Sequence, residues 1–242
     1  ETFCTPSHMY VCMELCGPRT LFARLCMRDS QPKGVDSVPI AAHGMQSLMA
    51  QLCAAICHLH IAADICHRDC KPENVSIREQ ANGRIDVKLF GFELAAVQSE
   101  GRKCRFACGT MPFAAPEIIL AGRHGHDGKA ADMWSLGVLL LEVACGLRSV
   151  EGSLSPLLPP QAAQRAEQNT RPDEKHVLAP TEEVARKVQD IFRDPGFLKS
   201  MLGKTVPEAS CLKPWLAPAL RGLVEVDVQK RLTATTLQPT VE

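Results

Sequence analysis

The sequence lacks excess charge of either sign, is poor in aromatic residues and has no long uninterrupted apolar run. Lys plus Arg and Asp plus Glu both number 27, and aromatic residues make up only 5%. Zero net charge removes the bulk attraction that a nucleic-acid-binding domain has for its ligand. The longest apolar run, Met133 to Leu147, contains Glu142 and falls short of the roughly 20 residues that span a bilayer. We therefore predict a buried core helix, no membrane span and no nucleic-acid partner.

A leader peptide is also missing from the printed sequence. Residue 1 is Glu, and no charged segment followed by an apolar one comes after it. This start is typical of a fragment, a processed product or an incomplete gene prediction. The missing signal peptide favours an intracellular, cytoplasmic location.

Cysteine, in contrast, is abundant, with 12 in the chain. Several are spaced four residues apart, in the pairs Cys12 and Cys16, Cys53 and Cys57, Cys66 and Cys70, and Cys104 and Cys108. Structural zinc sites usually combine two-residue gaps with further Cys or His ligands, a pattern that is missing here. Reduced core thiols are the expectation for an intracellular chain. The pair Cys104 and Cys108 is of most interest, because it lies in a long loop.

Apolar spacing predicts a mainly α-helical domain with one small β-hairpin. Two short apolar segments, Val75 to Ile77 and Ile85 to Phe90, predict the hairpin. The helices are expected at Thr20 to Met27, Ile40 to Ala63, Ala130 to Cys145, Thr181 to Phe192, Leu216 to Val224 and from Ala234 onward. A segment from about 146 to 180 is rich in Pro, Ser, Gln and charge, and predicts a disordered insertion.

The run from His67 to Asn74 holds the residues that phosphoryl transfer requires. That chemistry needs a carboxylate to orient a hydroxyl, a cation beside the moving phosphate and an oxygen ligand for Mg²⁺. Asp69, Lys71 and Asn74 supply one of each, between a predicted helix and a predicted hairpin. Three such groups can also meet in a loop by chance, so the run alone leaves the function open.

The order of motifs resembles that of the eukaryotic protein kinases. His67 to Asn74 matches their HRDxKPxN catalytic loop at every fixed position. The other matching segments are Tyr10 to Cys16 (last small-lobe strand and hinge), Gly109 to Glu117 (GTxxYxAPE, with Phe113 for Tyr), Asp132 to Val138 (DxWSxGV) and Asp227 to Ala234 (DPxxRxTA). The chain is similar to serine/threonine kinases of the calcium/calmodulin-dependent type. The resemblance implies the last small-lobe strand and the hinge over residues 1–16, and a kinase-like large lobe over residues 17–242.

The resemblance also implies a role for each matched residue, with ATP and Mg²⁺ as cofactors and a protein as substrate. Asp69 would orient the substrate hydroxyl, Lys71 would contact the γ-phosphate, Thr110 would support Asp69 and Asn74 would hold one Mg²⁺. Backbone groups of the hinge would receive adenine, and further residues would have structural roles. The hinge set is Met13 (gatekeeper), Glu14 and Cys16. The structural set is His67 (scaffold), Arg68 (contact to a loop phosphate, with Ser99 as candidate acceptor), Asp132 (anchor of the catalytic loop) and Arg231 paired with buried Glu117.

One departure from the family pattern concerns the metal site. After Val87 to Phe90, Gly91 stands where the Asp of the Asp-Phe-Gly triplet would hold Mg²⁺. Glycine has no side-chain oxygen, so the charge stabilisation that the metal provides should be largely lost. Glu93 is the nearest carboxylate, and it could substitute only after a backbone rearrangement. It also replaces the Gly that gives this loop its conformational freedom.

A second departure concerns the nucleotide pocket. Only seven residues precede the hinge strand, which begins at His8, so the sequence shows no glycine-rich loop, no Ala-x-Lys strand and no partner Glu helix. The small lobe is expected to be nearly absent. Ser76 falls where a bulky apolar residue normally forms the floor of the adenine pocket, which weakens adenine burial.

Three functional readings remain open from the sequence. The first is an active serine/threonine kinase, favoured by Asp69, Lys71 and Asn74. The second is a pseudokinase that holds protein partners, favoured by Gly91, Glu93 and Ser76. The third is a non-functional kinase fragment, favoured by the short segment before the hinge.

Overall fold

The computed structural model describes residues 1–29, 42–80, 84–99, 101–154, 181–205 and 213–241. Its strands, β1 to β7, are Thr2–Cys4, Met9–Val11, Arg19–Thr20, Ile65–Cys66, Val75–Glu79, Ile85–Leu89 and Ala96–Val97. Its α-helices, α1 to α9, are Leu21–Asp29, Ala42–Cys57, Pro116–Leu120, Gly128–Cys145, Ser149–Leu154, Glu182–Arg193, Pro195–Thr205, Lys213–Leu223 and Ala234–Val241. A π-helical turn, His58–Ala62, extends α2.

The core forms around α2 and α4. The apolar run that begins at Met133 lies in α4, where Trp134 and Leu140 are fully inaccessible to solvent. Asp127 caps this helix, because its carboxylate accepts a hydrogen bond from the backbone N–H of Ala130 at 3.1 Å. The cap and the apolar run together explain why α4 begins where it does. This helix positions the anchor of the site, Asp132.

In the described part of the chain one helical segment, Gly44–Ala62, is long and apolar enough to cross a membrane by length and composition alone. Leu48, Met49, Leu52 and Ile56 on this segment are buried in the core of the domain. Such burial is typical of the core helix of a globular domain. We therefore read α2 as a core helix.

The described residues form more strands than the hairpin and the hinge strand, beginning at His8, that the sequence predicts; β2 lies within that hinge strand. The predicted hairpin exists as β5 and β6, with Val75 opposite Leu89. Strand β3 joins the other edge of β5, so the sheet has three strands. Two further antiparallel pairs, β1 with β2 and β4 with β7, are too short to show a period-2 apolar pattern.

The structure differs from the sequence prediction at two places in the second half of the chain. The disordered insertion was expected to begin near residue 146, but Ser149–Leu154 forms helix α5, with Val150 and Leu154 buried. A buried apolar face, rather than local composition, determines the structure there. Residues 155–180 lie outside the described part of the chain, as do residues 81–83 of the hairpin turn. Helix α7, Pro195–Thr205, was not predicted.

Candidate active site

Asp132 anchors the catalytic loop from beneath. It is fully buried in α4. Its Oδ2 atom accepts hydrogen bonds from the backbone N–H of His67 at 2.6 Å and from Nε2 of His60 at 2.9 Å. Its Oδ1 atom accepts from the backbone N–H of Arg68 at 2.7 Å. A buried carboxylate with three donors is well compensated, so this contact fixes the loop where the family resemblance places it.

His67 is buried and packed as a scaffold residue. Its Nδ1 atom accepts a hydrogen bond from the backbone N–H of Asp69 at 3.3 Å, and Nε2 lies 3.0 Å from the carbonyl oxygen of Phe90. Because Nδ1 accepts a hydrogen bond and Nε2 faces a carbonyl oxygen, His67 is the neutral tautomer with its proton on Nε2. The imidazole thus connects the catalytic loop to Phe90, which directly follows β6. This geometry suits the structural role expected of His67.

Asp69, Lys71 and Thr110 form a closed polar triangle at the front of the loop. The ammonium group of Lys71 lies 2.8 Å from Oδ2 of Asp69 and donates to Oγ1 of Thr110, also at 2.8 Å. The Thr110 hydroxyl in turn donates to Oδ1 of Asp69 at 2.8 Å. The structure therefore brings together the three side chains to which the resemblance assigns catalysis. Both oxygens of Asp69 are partnered, so the carboxylate is held in one orientation.

Asn74 lies between Asp69 and Gly91. Its Nδ2 atom donates to the carbonyl oxygen of Asp69 at 2.8 Å and to Oδ2 of the same residue at 3.0 Å. Because both partners are acceptors, the amide orientation is determined, and the whole amide group lies against Gly91. Gly91 adopts a left-handed conformation with φ of +82°. A Cβ atom at residue 91 would lie 2.5 Å from Oδ1 of Asn74.

These residues do not fit the magnesium site that the family resemblance implies. Asn74 offers one amide oxygen, and Gly91 offers no side-chain ligand. Protein-bound Mg²⁺ requires near-octahedral oxygen coordination with one or two carboxylates. Glu93 is exposed, in a 3₁₀ turn that follows Gly91. Within the described ranges, no cluster of three His, Cys, Asp or Glu side chains could hold a metal ion.

Arg68 contacts the start of the activation segment, which we define as residues 91–117. It has a positive φ of 67°, and its Nε atom donates to the carbonyl oxygen of Leu94 at 2.5 Å. Ser99, the candidate phosphate acceptor, is exposed beyond β7. The contact described for Arg68 is therefore to backbone of the segment, while Ser99 is open to solvent.

Glu117 and Arg231 form the ion pair that the motif order predicts. Arg231 is 3% exposed and contacts both carboxylate oxygens of Glu117. Its Nε atom also donates to the carbonyl oxygen of Glu225 at 2.7 Å, and its guanidinium carbon lies 5.2 Å from the centre of the Trp134 ring. The side chain of Glu117 is 14% exposed, so it is less buried than the sequence predicts. The pair ties the end of the activation segment to the segment that precedes α9.

The hinge residues lie on the surface in this structure. The side chain of Met13 is 71% exposed. Glu14 forms an exposed ion pair with Lys88 at 3.1 Å. Ser76 is buried beneath them, and its hydroxyl donates to the carbonyl oxygen of Gly17 at 3.2 Å. The hydroxyl makes the floor of the expected adenine pocket more polar than a large aliphatic side chain would, and it also secures the hinge. Cys16 lies close by, with its Sγ atom 3.8 Å from the carbonyl oxygen of Glu14.

Two supporting residues escaped the sequence analysis. His60 binds the anchor Asp132 and comes from a π-helical turn, which no local pattern indicates. Gln98 accepts from the backbone N–H of Gly128 at 2.7 Å and donates to Asp127 at 2.9 Å, so it connects the activation segment to the start of α4. A lone Gln in a loop gives no advance signal of such a role.

Comparisons with known proteins identify the family of this chain. The protein kinase domain family matches residues 1–240. Myosin light chain kinase A of Dictyostelium discoideum is 33% identical over 156 residues, which cover 64% of this chain and 48% of that protein. Serine/threonine-protein kinase SAPK4 of Oryza sativa subsp. japonica is 30% identical over 214 residues, 83% of this chain and 56% of that protein.

A third relative, CBL-interacting serine/threonine-protein kinase 24 of Arabidopsis thaliana, is 35% identical over 147 residues, 60% of this chain and 29% of that protein. The chain thus spans at most about half the length of these curated relatives. The family match extends over nearly the whole chain. The chain therefore belongs to the eukaryotic protein kinase family, as a serine/threonine-type protein kinase domain.

Proposed function

We propose that this domain transfers the γ-phosphate of ATP to protein Ser or Thr very weakly or not at all, and that it acts as a pseudokinase that binds other proteins. The observation that carries the proposal is the contact between Gly91 and Asn74. One expected metal ligand, Gly91, has no side chain, and the other, Asn74, lies against Gly91 and donates to Asp69. Neither residue offers a carboxylate oxygen to a metal ion.

Electrostatics explain why this loss matters more than the intact loop. In phosphoryl transfer the protein does little covalent chemistry, so most of the acceleration comes from positioning and from charge stabilisation by metal ions. Asp69 and Lys71 can still orient a hydroxyl and place one positive charge. They do not replace a divalent ion that bridges the phosphates. We therefore expect turnover several orders of magnitude below that of a typical kinase, which is 1–100 s⁻¹ as an order-of-magnitude range.

A weakly active serine/threonine kinase is the second candidate, because the triangle of Asp69, Lys71 and Thr110 is fully assembled. A domain that has lost catalysis has no catalytic need to retain this triangle. The contact of Thr110 with both partners would serve substrate positioning in an active enzyme. Nucleotide phosphates would then have to be held by residues outside this sequence, because the printed segment before the hinge has no glycine-rich loop.

We also propose that the domain is located inside the cell. The described cysteines are free thiols, as expected for an intracellular protein in the absence of an oxidant. We also propose that its binding partner or substrate is a protein. The zero formal net charge gives no support to a nucleic-acid ligand.

Titration with ATP separates the two candidates. The melting temperature of the chain would be followed against ATP, once with Mg²⁺ and once with a chelator. A ligand at 100 times its Kd stabilises the folded state by about 2.7 kcal/mol, which a thermal shift detects readily. The pseudokinase proposal predicts no metal-dependent shift. A shift that requires Mg²⁺, together with phosphate transfer to a peptide that Asp69→Asn abolishes, would establish the second candidate instead.

A further inference from the structure

We propose that Cys66 and Cys104 are an oxidative modification site, where a reversible disulfide ties the activation segment to the strand before the catalytic loop. The two residues are 38 positions apart in sequence, yet their Sγ atoms lie 3.8 Å apart in the interior. Cys66 ends β4 and directly precedes His67, whereas Cys104 lies in the middle of the activation segment. The proposal does not depend on whether the domain transfers phosphate.

The sequence pairs Cys104 with Cys108, but the structure directs Cys104 elsewhere. The thiol of Cys104 points to the same interior space as that of Cys66, where it lies 3.6 Å from Oε1 of Gln98. The thiol of Cys66 lies 3.2 Å from the carbonyl oxygen of Ala96, across the β4–β7 pair. Cys108 is only half-buried. The sulfur in contact with Cys104 therefore comes from another element, β4.

Backbone contacts hold both cysteines at this spacing. Strand β4 pairs with β7, with Cys66 opposite Ala96. Cys104 exchanges two backbone hydrogen bonds with His126, each 2.9 Å long. A disulfide requires an S–S distance of about 2.0 Å, so the sulfurs must approach by roughly 1.8 Å. We expect side-chain rotation to provide this movement while both backbone pairs stay intact.

Gly128 supplies the room in which the two sulfurs meet. A Cβ atom at this position would lie 2.7 Å from Sγ of Cys66 and 2.9 Å from Sγ of Cys104. Any other residue at the start of α4 would therefore displace one of the thiols. Backbone conformation does not require glycine at this position, because Gly128 is not among the described glycines with a positive φ. Packing around the cysteine pair accounts for this glycine.

Hydrogen peroxide is the oxidant we propose for the step. Burial raises the pKa of the Cys66 thiol to about 12, so this group is a poor initial nucleophile. Cys104 is 9% exposed whereas Cys66 is fully buried, so we expect peroxide to reach the Cys104 sulfur first. The Cys104 sulfur takes an oxygen from peroxide, whose O–O bond breaks, giving a sulfenic acid and one water.

The second step forms the disulfide. The Cys66 sulfur attacks the sulfenic sulfur, the S–S bond forms, and the S–O bond breaks. The leaving hydroxide takes the proton of the Cys66 thiol and departs as a second water. The two thiols together lose two electrons, which the peroxide accepts, and a dithiol reductant reverses the change. Once formed, the bond closes a long loop that contains the catalytic loop and the hairpin, and so restricts the unfolded chain.

Peptide mapping of the oxidised chain tests the proposal. The protein would be treated with hydrogen peroxide, its remaining thiols alkylated, and its digest analysed by mass spectrometry without reduction. We expect the peptide of Cys66 linked to that of Cys104, a link that dithiothreitol removes. We also expect the melting temperature to rise by about 5–10 °C on oxidation. A link between Cys104 and Cys108, or alkylation of Cys66 and Cys104 after oxidation, would overturn the proposal.

Serine variants provide the controls. Cys104→Ser should abolish both the link and the rise in melting temperature, and Cys66→Ser should do the same while its hydroxyl can still donate to Ala96. Cys53→Ser removes another buried cysteine, in α2, and should retain both effects. If Cys66→Ser does not fold, Cys104→Ser and the peptide map decide the question. An equal rise in Cys104→Ser and in the unmodified chain would also refute the proposal.

Discussion

The side-chain amide of Asn74 fills the space that any side chain at position 91 would require. A Cβ atom on residue 91 would lie 2.5 Å from Cγ and Oδ1 of Asn74 and 2.8 Å from Nδ2. The same amide donates two hydrogen bonds to Asp69, so it is held where it is. The position of Asn74 therefore leaves room for glycine at residue 91 and for no larger residue. A larger residue at position 91 would require Asn74 to move.

Substitution at Gly91 tests this coupling. Gly91→Ala should lower the free energy of unfolding by about 1–2 kcal/mol, because a Cβ meets Asn74 and residue 91 has a left-handed φ. Gly91→Asp should show a similar loss, since Asn74 must rotate away from Asp69. Only Gly91→Asp should then gain stability when Mg²⁺ and ATP are added, as measured by thermal shift. A metal-dependent gain of equal size in Gly91→Ala would show that a side chain at 91 does not act as a ligand.

Asp132→Asn should destabilise the domain by about 3 kcal/mol, as measured by urea unfolding. Both oxygens of Asp132 accept from N–H groups, so the NH₂ of an Asn would face a donor on one side. Asp190→Asn is the matched control, since Asp190 is exposed and forms only an i,i+3 pair with Arg193. It should change stability by less than about 0.5 kcal/mol. Comparable losses in the two variants would contradict the anchoring role of Asp132.

Some elements were predictable because local signals and tertiary packing agree. Helix α4 combines an apolar run with a capping Asp127, and the structure buries nearly the whole helix. Helix α1 begins where Thr20 suggests, because Oγ1 of Thr20 accepts from the backbone N–H of Ala23 at 3.1 Å. The catalytic loop could be identified from the sequence because its residues are adjacent in the chain. Helix α7 could have been predicted too, since Asp194 followed by Pro195 is typical of a helix start.

Other features depend on contacts between residues far apart in the chain, which local patterns do not encode. The bond from His60 to Asp132 joins residues 72 positions apart, and the pair of Cys66 and Cys104 joins residues 38 apart. The resemblance identified Gly91 as a lost ligand. It gave no indication that the Asn74 amide would lie against Gly91 while it donates to Asp69, because these contacts depend on the tertiary structure.

Arg231→Lys should lower the free energy of unfolding by about 2–4 kcal/mol although the charge is kept. The guanidinium contacts both oxygens of Glu117, the carbonyl oxygens of Ala130 and Glu225, and the Trp134 ring. A lysine ammonium cannot reach this set from one position. Arg193→Lys, at an exposed pair, serves as the control and should be nearly neutral in urea unfolding. An equally small effect at both sites would show that charge alone stabilises the Arg231 site.

Glu142 should make stability depend on pH in an unusual direction. It is 1% exposed; Oε1 accepts from the backbone N–H of Val150 at 2.9 Å, and Oε2 has no partner among the described residues. Burial raises the pKa of Glu142 from 4.5 to about 7, and the neighbouring charge of Glu151 adds to the shift. Between these values the folded protein keeps a proton that the unfolded chain has released. The free energy of unfolding should therefore fall as pH rises through this range.

The size of this effect is on the order of 3 kcal/mol between the two ends of the range. Glu142→Gln keeps a carbonyl oxygen for the N–H of Val150 but carries no titratable proton. Urea unfolding of both proteins, from about pH 4.5 to about pH 7, isolates the contribution of Glu142 as the difference between their profiles. Because other groups titrate equally in both proteins, they cancel in that difference. Glu142→Gln should be the more stable protein above pH 7, and parallel profiles would mean that Glu142 is ionised in the folded state.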